Sequence, residues 1–302
     1  MSEYQYYEFL ALDRALTQHD IRELRKYSTR ATITATRFVN HYEWGDFKGN
    51  PSTWVQKYFD AFLYFANWGT HRLMLRLPSQ ALDIKTAKRY LRGHSAAAHV
   101  KGDLLVLDLM AENEGGDREV DDGTGLLSSL IPLRADIAAG DHRALYLAWL
   151  SSVQSGELSA DAPEPPVPPG LGALSAPLKA LADFLYVGTE LIAVAAVRSQ
   201  PTNDRVAREQ FRQWIAGLPE SEKTALLSRL AVDNEHGLRA ELLRRYHHTR
   251  PTVDSPTAAK SRTVAELLDE VERRERQRLA REGRREPRRR SARRPDGDEN
   301  CR

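Results

Sequence analysis

The chain has 302 residues, 41% hydrophobic and 28% charged, a composition typical of globular proteins with one large domain or two smaller ones. Its single cysteine, Cys301, excludes a disulfide framework within the chain and a cysteine-based zinc site. No apolar run is long enough to span a membrane and the N-terminus lacks a signal-peptide pattern, so we expect a cytoplasmic protein without a membrane partner.

The net charge of +2 is unevenly distributed along the chain. Residues 273–294 contain twelve Arg and three Glu, a local charge of +9. The last eight residues carry −2, which leaves −5 on residues 1–272. The sequence therefore predicts a mildly acidic body with a strongly basic tail.

The first half of the chain alternates predicted strands and helices. Aromatic, β-branched or alternating patterns predict strands over 4–12, 31–44, 71–77 and 103–110. Helical patterns cover 17–27, 51–67, 83–91 and 141–153. The helix over 51–67 is predicted from Asn50 as N-cap, Pro51 in the first turn, and an aromatic side chain at every fourth position from Trp54.

The second half is predicted to be helical. Residues 157–170 contain five prolines and predict a linker or an extended crossing segment. Helical patterns follow over 176–186, 190–197, 204–216, 220–230 and 235–247. A last helix is predicted over 261–285, and disorder over 286–302, because almost nothing apolar remains there.

These elements predict an α+β or α/β fold with an about four-stranded mixed sheet and helices on at least one face. The short connections allow either parallel crossovers or a ferredoxin-like arrangement. The predicted division is an α/β domain (1–156), a Pro-rich linker (157–170), a helical part (171–248), a projecting helix (261–285) and a disordered basic tail (286–302).

Residues 41–54, HYEWGDFKGNPSTW, raise the possibility of an active-site loop. Asp46 would serve as an acid or metal ligand, and Lys48 would contact a phosphate or carboxylate. The interpretation that we favour is a turn from strand to helix, in which two glycines supply unusual backbone angles and Asn50 caps the helix.

Asp108 lies within the apolar run LLVLDLM, which predicts a strand covered on both faces. A buried carboxylate costs free energy unless it is paired, and burial is one way in which enzymes raise a carboxylate pKa. We favour a structural ion pair with Arg72 or Arg76 on a neighbouring strand, or a strand end that reaches solvent.

Motifs for metal ions and cofactors are absent from the sequence. The acidic segment 112–122 lacks the calcium-loop pattern, and the histidine spacings give no metal site. No phosphate-binding glycine loop or nucleophile elbow is present. We therefore expect no cofactor and no metal, and the hypothesis of an enzyme depends on Asp46, Lys48 and Asp108 alone.

The C-terminal helix carries two candidate binding features. An apolar stripe of coiled-coil character predicts docking to a protein partner through Val264, Leu267, Leu268 and Val271. An arginine-rich segment predicts salt-dependent contact with a polyanion such as nucleic acid, through Arg273, Arg274, Arg288, Arg289 and Arg290. Our first hypothesis is a cytoplasmic interaction or scaffold protein, our second is nucleic-acid binding, and our third is an enzyme.

Several segments resemble a bacterial protein family with no assigned activity: EFLALDRALT, TRFVNHYEWGDFKG, DAFLYFANWGTHRLMLRLP and RTVAELLDEVERRERQR. The resemblance covers most of residues 1–280 and implies no functional residues. Relatives carry a longer Arg/Glu/Ala-rich helical extension, which implies that this chain is shortened. From Pro287 the composition of the sequence changes, to PRRRSARRPDGDENCR. We therefore hypothesise that the last fifteen or so residues follow a frameshift.

Overall fold

The computed structural model describes residues 4–113, 122–201, 204–231, 238–249 and 261–291. The strands are β1 (Gln5–Leu10), β2 (Thr32–Ile33), β3 (Arg37–Tyr42), β4 (Ala61–Ala66), β5 (Thr70–Pro78), β6 (Ala96–Lys101) and β7 (Leu104–Glu112). The helices are α1 (Gln18–Arg25), α2 (Pro51–Lys57), α3 (Ile84–Tyr90), α4 (Leu126–Leu130), α5 (Pro132–Ala138), α6 (Arg143–Gln154), α7 (Ala176–Phe184), α8 (Thr189–Ala196), α9 (Asp204–Ala216), α10 (Glu220–Ala231), α11 (Leu238–Thr249) and α12 (Val264–Ser291).

The strands form one seven-stranded sheet in the order β2-β3-β1-β4-β5-β7-β6. Every neighbouring pair is antiparallel. The fold is therefore α+β, one of the two classes that the sequence predicts. The prediction of an about four-stranded mixed sheet is wrong, because the sheet has seven strands and is antiparallel. Parallel crossovers do not occur between the described strands.

The largest error concerns residues 51–67, which were predicted as a single helix. Helix α2 begins as predicted, since Asn50 accepts a hydrogen bond from the Thr53 N–H at 3.0 Å and Pro51 follows it. It ends at Lys57, and the chain then enters the middle of the sheet as β4. The sequence AFLYFA is covered on both faces and so lacks the alternation that distinguishes a strand from a buried helix.

Two further strands were not predicted as separate elements. The predicted strand 31–44 is divided into β2 and β3, which pair as an antiparallel hairpin. Strand β6 at the edge of the sheet was missed altogether. It begins with three alanines, and alanine does not favour strands, so residues 96–101 carry little strand signal.

Each face of the sheet contributes to a hydrophobic core. On one face, aromatic rings from β1, β3, α2 and β4 pack together, with the Phe9 and Phe62 centroids 4.5 Å apart. On the other face, a larger core surrounds α6, in which Tyr146 and Trp149 are fully buried. Residues that precede and follow the Pro-rich segment share this larger core. The division into domains was predicted from composition alone and stays a prediction.

The Pro-rich segment 157–170 contains no helix or strand, and an isolated bridge joins Pro163 to Thr263. The helices predicted after it are present as α7 to α11. Helix α12 runs to Ser291, so it passes the predicted end at Arg285, while residues 292–302 of the predicted tail lie outside the described part. No helix in the described ranges is long and apolar enough to cross a membrane.

Candidate functional site

The loop that follows β3 is tied to the sheet through Gln5. The buried Gln5 side chain donates from Nε2 to the Gly45 carbonyl at 3.1 Å and to Asp46 Oδ1 at 3.3 Å. Its Oε1 accepts from the hydroxyls of Tyr7 at 2.8 Å and Tyr64 at 3.2 Å. Burial raises the pKa of Tyr64 to about 12. These contacts favour a turn anchored to the sheet over a catalytic loop.

Asp108 forms the ion pair that the sequence predicts. Arg72 donates from Nε to Oδ1 at 2.8 Å and from Nη2 to Oδ2 at 2.7 Å, a bidentate arrangement that occupies both carboxylate oxygens. The side chains of Asp46 and Lys48 are exposed on the loop after β3. In the described structure, no hydrogen bond or ion pair joins any two of the three candidate catalytic residues.

A second carboxylate, Asp60, was missed because it fell inside the predicted helix 51–67. It is 1% exposed and accepts the N–H groups of Leu12 at 2.6 Å and Asp13 at 3.0 Å, together with the Arg76 guanidinium. Burial raises the pKa of Asp60, but the two N–H groups and Arg76 outweigh it and leave the pKa below its ordinary value. These hydrogen bonds and the ion pair with Arg76 hold the chain in place where α2 ends and β4 begins.

Helix α12 is attached to the body by a buried ion pair. Arg262 donates to Glu164 from Nε at 3.1 Å and from Nη2 at 2.6 Å. The Tyr146 hydroxyl donates to the same carboxylate at 2.5 Å. The backbone N–H of Glu164 donates to the Arg262 carbonyl at 2.8 Å, so the Pro-rich segment holds the residues that lead into α12.

The predicted apolar stripe of α12 is divided between the body and solvent. Val264 and Leu267 are 2% and 0% exposed and belong to the larger core, and Val271 packs against that core. Leu268 is 41% exposed and Leu279 is 61% exposed. The stripe is therefore not wholly available to a partner, and Leu279, which the prediction omitted, is its most exposed apolar side chain.

The arginines predicted to contact a polyanion lie on α12. Arg273 pairs with Glu270 of the same helix, whereas Arg274 forms no ion pair with the described residues. Arg288, Arg289 and Arg290 lie on the last part of the helix, and their side chains lie outside the described atoms.

A cavity of about 840 Å³ lies beside the turn between α7 and α8. It is bounded by the start of β6, the end of β7, the C-terminal end of α6 and the turn between α7 and α8. Its volume is in the range of small-molecule sites. None of Asp46, Lys48 and Asp108 lines it.

The turn between α7 and α8 is held by side chains from three elements. The carbonyl of Phe184 binds His71 of β5 at 2.8 Å, the carbonyl of Leu185 accepts from Ser151 of α6 at 2.9 Å, and the carbonyl of Tyr186 accepts from Gln154 of α6 at 2.6 Å. The last carbonyls of a helix have no N–H partner within the helix. Here side chains from β5 and α6 supply the donors for three successive carbonyls at the end of α7.

Tyr186 has φ +54°, a left-handed conformation that is uncommon outside glycine. Its N–H bonds the Asp183 carbonyl and the next N–H, of Val187, bonds the Ala182 carbonyl, which is the Schellman pattern of a helix C-terminus. Glycine is the usual residue at this position, so the tyrosine side chain is placed there at some cost in free energy.

That side chain contacts His71, which is buried. A carbonyl only accepts, so His71 Nδ1 carries the proton that is donated to the Phe184 carbonyl at 2.8 Å, and Nε2 forms a hydrogen bond with the Tyr186 hydroxyl at 3.0 Å. The imidazole also stacks on the Phe65, Phe184 and Tyr186 rings, with centroids 4.8 Å away. The sequence shows neither residue as special, since 115 positions separate them.

No protein-family model, curated protein or solved structure matches this chain. The described residues contain no group of three or more His, Cys, Asp or Glu placed to hold a metal ion.

Proposed function

We propose that this chain is a cytoplasmic scaffold protein that docks a helix of a protein partner on the exposed side of α12. The observation that supports this most directly is the pair Leu268 and Leu279, which are 41% and 61% exposed. They are eleven residues apart, about three helical turns, and therefore lie on one side of the helix.

The surroundings of these leucines resemble the rim of a helix–helix contact. Arg273 and Arg276 form ion pairs with Glu270 and Glu272 of the same helix. Charged side chains that flank apolar positions set partner choice and orientation in coiled coils. From Glu272 to Ala280 every residue except Arg274 is exposed, which leaves this side of α12 open to a partner.

The anchoring of α12 favours binding. The Glu164–Arg262 ion pair and the buried side chains of Val264 and Leu267 hold the start of the helix on the body. A helix that is already ordered loses less conformational entropy on association than a segment that folds on binding. The single cysteine is consistent with the reducing conditions of the cytoplasm.

A pull-down from native lysate at low and high salt tests this proposal. The baits are the full chain, the double variant L268S/L279S, and the control L227S, which alters an exposed leucine on α10. We expect a protein partner that survives high salt with the full chain and L227S and is lost with the double variant. Equal capture by all three baits would exclude docking through these leucines.

Nucleic-acid binding is the second candidate, favoured by the charge of +9 on residues 273–294. Since α12 continues to Ser291, ten of the twelve arginines in this segment lie on one helix. Binding of duplex DNA or RNA should fall steeply with salt and weaken when Arg288, Arg289 and Arg290 are replaced by Gln. A shift that is absent, or that does not respond to salt, would eliminate this candidate.

A further inference from the structure

The Pro-rich segment 157–170 has a restrained backbone, although it contains no helix or strand. Every residue from 162 to 169 is a proline or directly precedes one. Proline fixes its own φ at about −65° and keeps the residue before it out of the helical region. These restraints favour the polyproline II conformation, which has about three residues per turn.

The exposure of the prolines follows that period. Pro163, Pro166 and Pro169 are exposed, whereas Pro165 and Pro168 between them are buried. In polyproline II, residues three apart lie on one side of the helix, about 9 Å from each other. The segment therefore packs one side on the body and presents a proline ridge, formed by Pro163, Pro166 and Pro169, to solvent.

The body holds the segment in this conformation. The Pro166 carbonyl accepts a hydrogen bond from the Tyr90 hydroxyl at 2.9 Å, and the Pro168 carbonyl accepts one from the Ser199 hydroxyl at 2.7 Å. Glu164 adds its buried ion pair with the residue that leads into α12. The ridge is therefore ordered before a partner arrives, which lowers the entropic cost of binding, and a proline ring has almost no side-chain entropy to lose.

The ridge offers apolar rings and hydrogen-bond acceptors to a partner. The carbonyls of Pro163 and Pro169 accept no hydrogen bond from the residues that the structure describes. Proline has no N–H, so its backbone can accept a hydrogen bond but cannot donate one. The complementary surface is a groove of Tyr and Trp side chains, whose rings pack against proline and whose O–H or N–H groups donate to carbonyls.

The charge next to the ridge is negative. Asp161 is exposed and forms no ion pair within the described part of the chain. No Lys or Arg occurs between residues 157 and 170. A Lys or Arg at the rim of the aromatic groove would therefore complement the ridge and orient the partner along it.

We infer that the proline ridge docks the aromatic-lined groove of a protein partner, with Pro163, Pro166 and Pro169 in the groove and Asp161 opposite a basic side chain. This surface shares no residue with the exposed side of α12. It does not depend on the docking proposed above, and it would give the protein a second binding surface.

Competitive elution tests the inference. The full chain is the bait in native lysate and is washed at high salt. It is then eluted with an L-proline decapeptide, which forms polyproline II, or with the D-proline decapeptide, its mirror image of the same composition. We expect the L-peptide to release a protein that the D-peptide leaves on the bait, and mass spectrometry identifies that protein.

Two variants locate the contact. P163A/P166A/P169A removes the rings of the ridge, and the control P201A/P219A removes two exposed prolines elsewhere. In calorimetric titration with the released protein, we expect roughly tenfold or weaker binding for the first variant, because contact residues at the centre of an interface carry most of its affinity. The control should bind like the wild type.

A third variant and a folding control complete the design. L268S/L279S should also bind the released protein like the wild type, which separates this surface from α12. Circular dichroism confirms that the variants fold. The elution uses the unaltered chain, so it stays decisive if the triple proline variant does not fold.

Four outcomes would overturn the inference. The first is that the L-peptide releases no protein, and the second is that both peptides release the same proteins equally. The third is equal affinity of the triple proline variant and its control for the released protein. The fourth is release of a second copy of this chain alone, which would assign the ridge to self-association.

Discussion

Tyr186 illustrates how a single side chain can decide a backbone conformation. A left-handed residue other than glycine costs about 1 kcal/mol or more, and the hydroxyl and ring of Tyr186 offset that cost through the hydrogen bond and stacking with His71. The same contacts place the turn that forms one wall of the cavity. The strained backbone of Tyr186, the buried His71 and this wall of the cavity are therefore structurally connected.

Y186F should destabilise the protein by about 1 kcal/mol, the usual contribution of one hydrogen bond, because it removes the hydroxyl that is hydrogen-bonded to His71 Nε2. Urea unfolding measures the change. The matched control is Y27F, which alters a tyrosine that is 44% exposed and whose hydroxyl forms no hydrogen bond with the described residues. Equal stability of the two variants would show that the Tyr186 hydroxyl contributes nothing.

Asp60 should make stability sensitive to acid. Its pKa in the folded state lies below the ordinary value of 3.8, so its charged form contributes stability that is fully present above the unfolded pKa. That contribution is lost as the pH falls through the folded pKa. D60N should therefore be less stable than the wild type at neutral pH and lose less stability on acidification below 3.8.

Free energies of unfolding measured from neutral to acidic pH check this expectation. D161N, which alters an exposed carboxylate, serves as the control and should follow the wild-type profile. If D60N and the wild type lose stability in parallel below 3.8, the depressed pKa of Asp60 is refuted.

At the scale of single residues, the sequence predicted contacts between neighbours on a sheet better than contacts across the fold. The pair Asp108–Arg72 was predictable because a carboxylate in a buried strand needs a partner and the adjacent predicted strand offered arginines. The contact of His71 with Tyr186 depends on how α7 ends against β5. Neither strand alternation nor helical periodicity contains that information.

Helix α12 shows how a highly charged helix can be attached to the folded body of the protein through its first turns. Its first two turns are held by Val264 and Leu267 in the core and by Arg262 on Glu164, and the residues from Glu272 to Ala280 are exposed except Arg274. The sequence showed the apolar stripe but not which part of it the body covers. That distinction requires the position of α8, which contacts α12 in the folded chain.

R262A should destabilise the protein by up to about 3–5 kcal/mol, because it removes the buried cation of Glu164 and leaves that carboxylate only the half-exposed Arg198 at 3.6 Å. Both partners are almost fully buried. The control R273A breaks an exposed pair with Glu270 and should cost about 0–1 kcal/mol. Urea denaturation compares the two, and a cost for R262A no larger than for R273A would show that the ion pair does not anchor α12.

The strands show where local patterns fail. β4 is all apolar, follows a well-capped helix and contains aromatics at helical spacing, so its residues were assigned to the helix before it. β6 has the opposite problem, since three alanines have little preference for a strand. In both cases pairing with neighbours decides the structure: β1 and β5 on either side of β4, and β7 beside β6.

In the whole molecule, the acidic and basic parts of the sequence correspond to different parts of the structure. Residues 1–272 carry −5 and build the sheet, its two cores and the anchored start of α12, whereas residues 273–294 carry +9. The sequence predicted this asymmetry because charge is additive and needs no knowledge of the fold. It did not predict the cavity, because the hairpin of β6 and β7, the end of α6 and the turn between α7 and α8 line it together.

We expect a protein partner to dock on the exposed side of α12. The most direct measurement is photo-crosslinking in the native cell, with a photoreactive amino acid at Leu279 or, as the control, at the equally exposed Leu227. We expect one protein adduct from position 279 that position 227 does not give and that L268S abolishes. The absence of a protein adduct at position 279, or the same adducts at both positions, would contradict it.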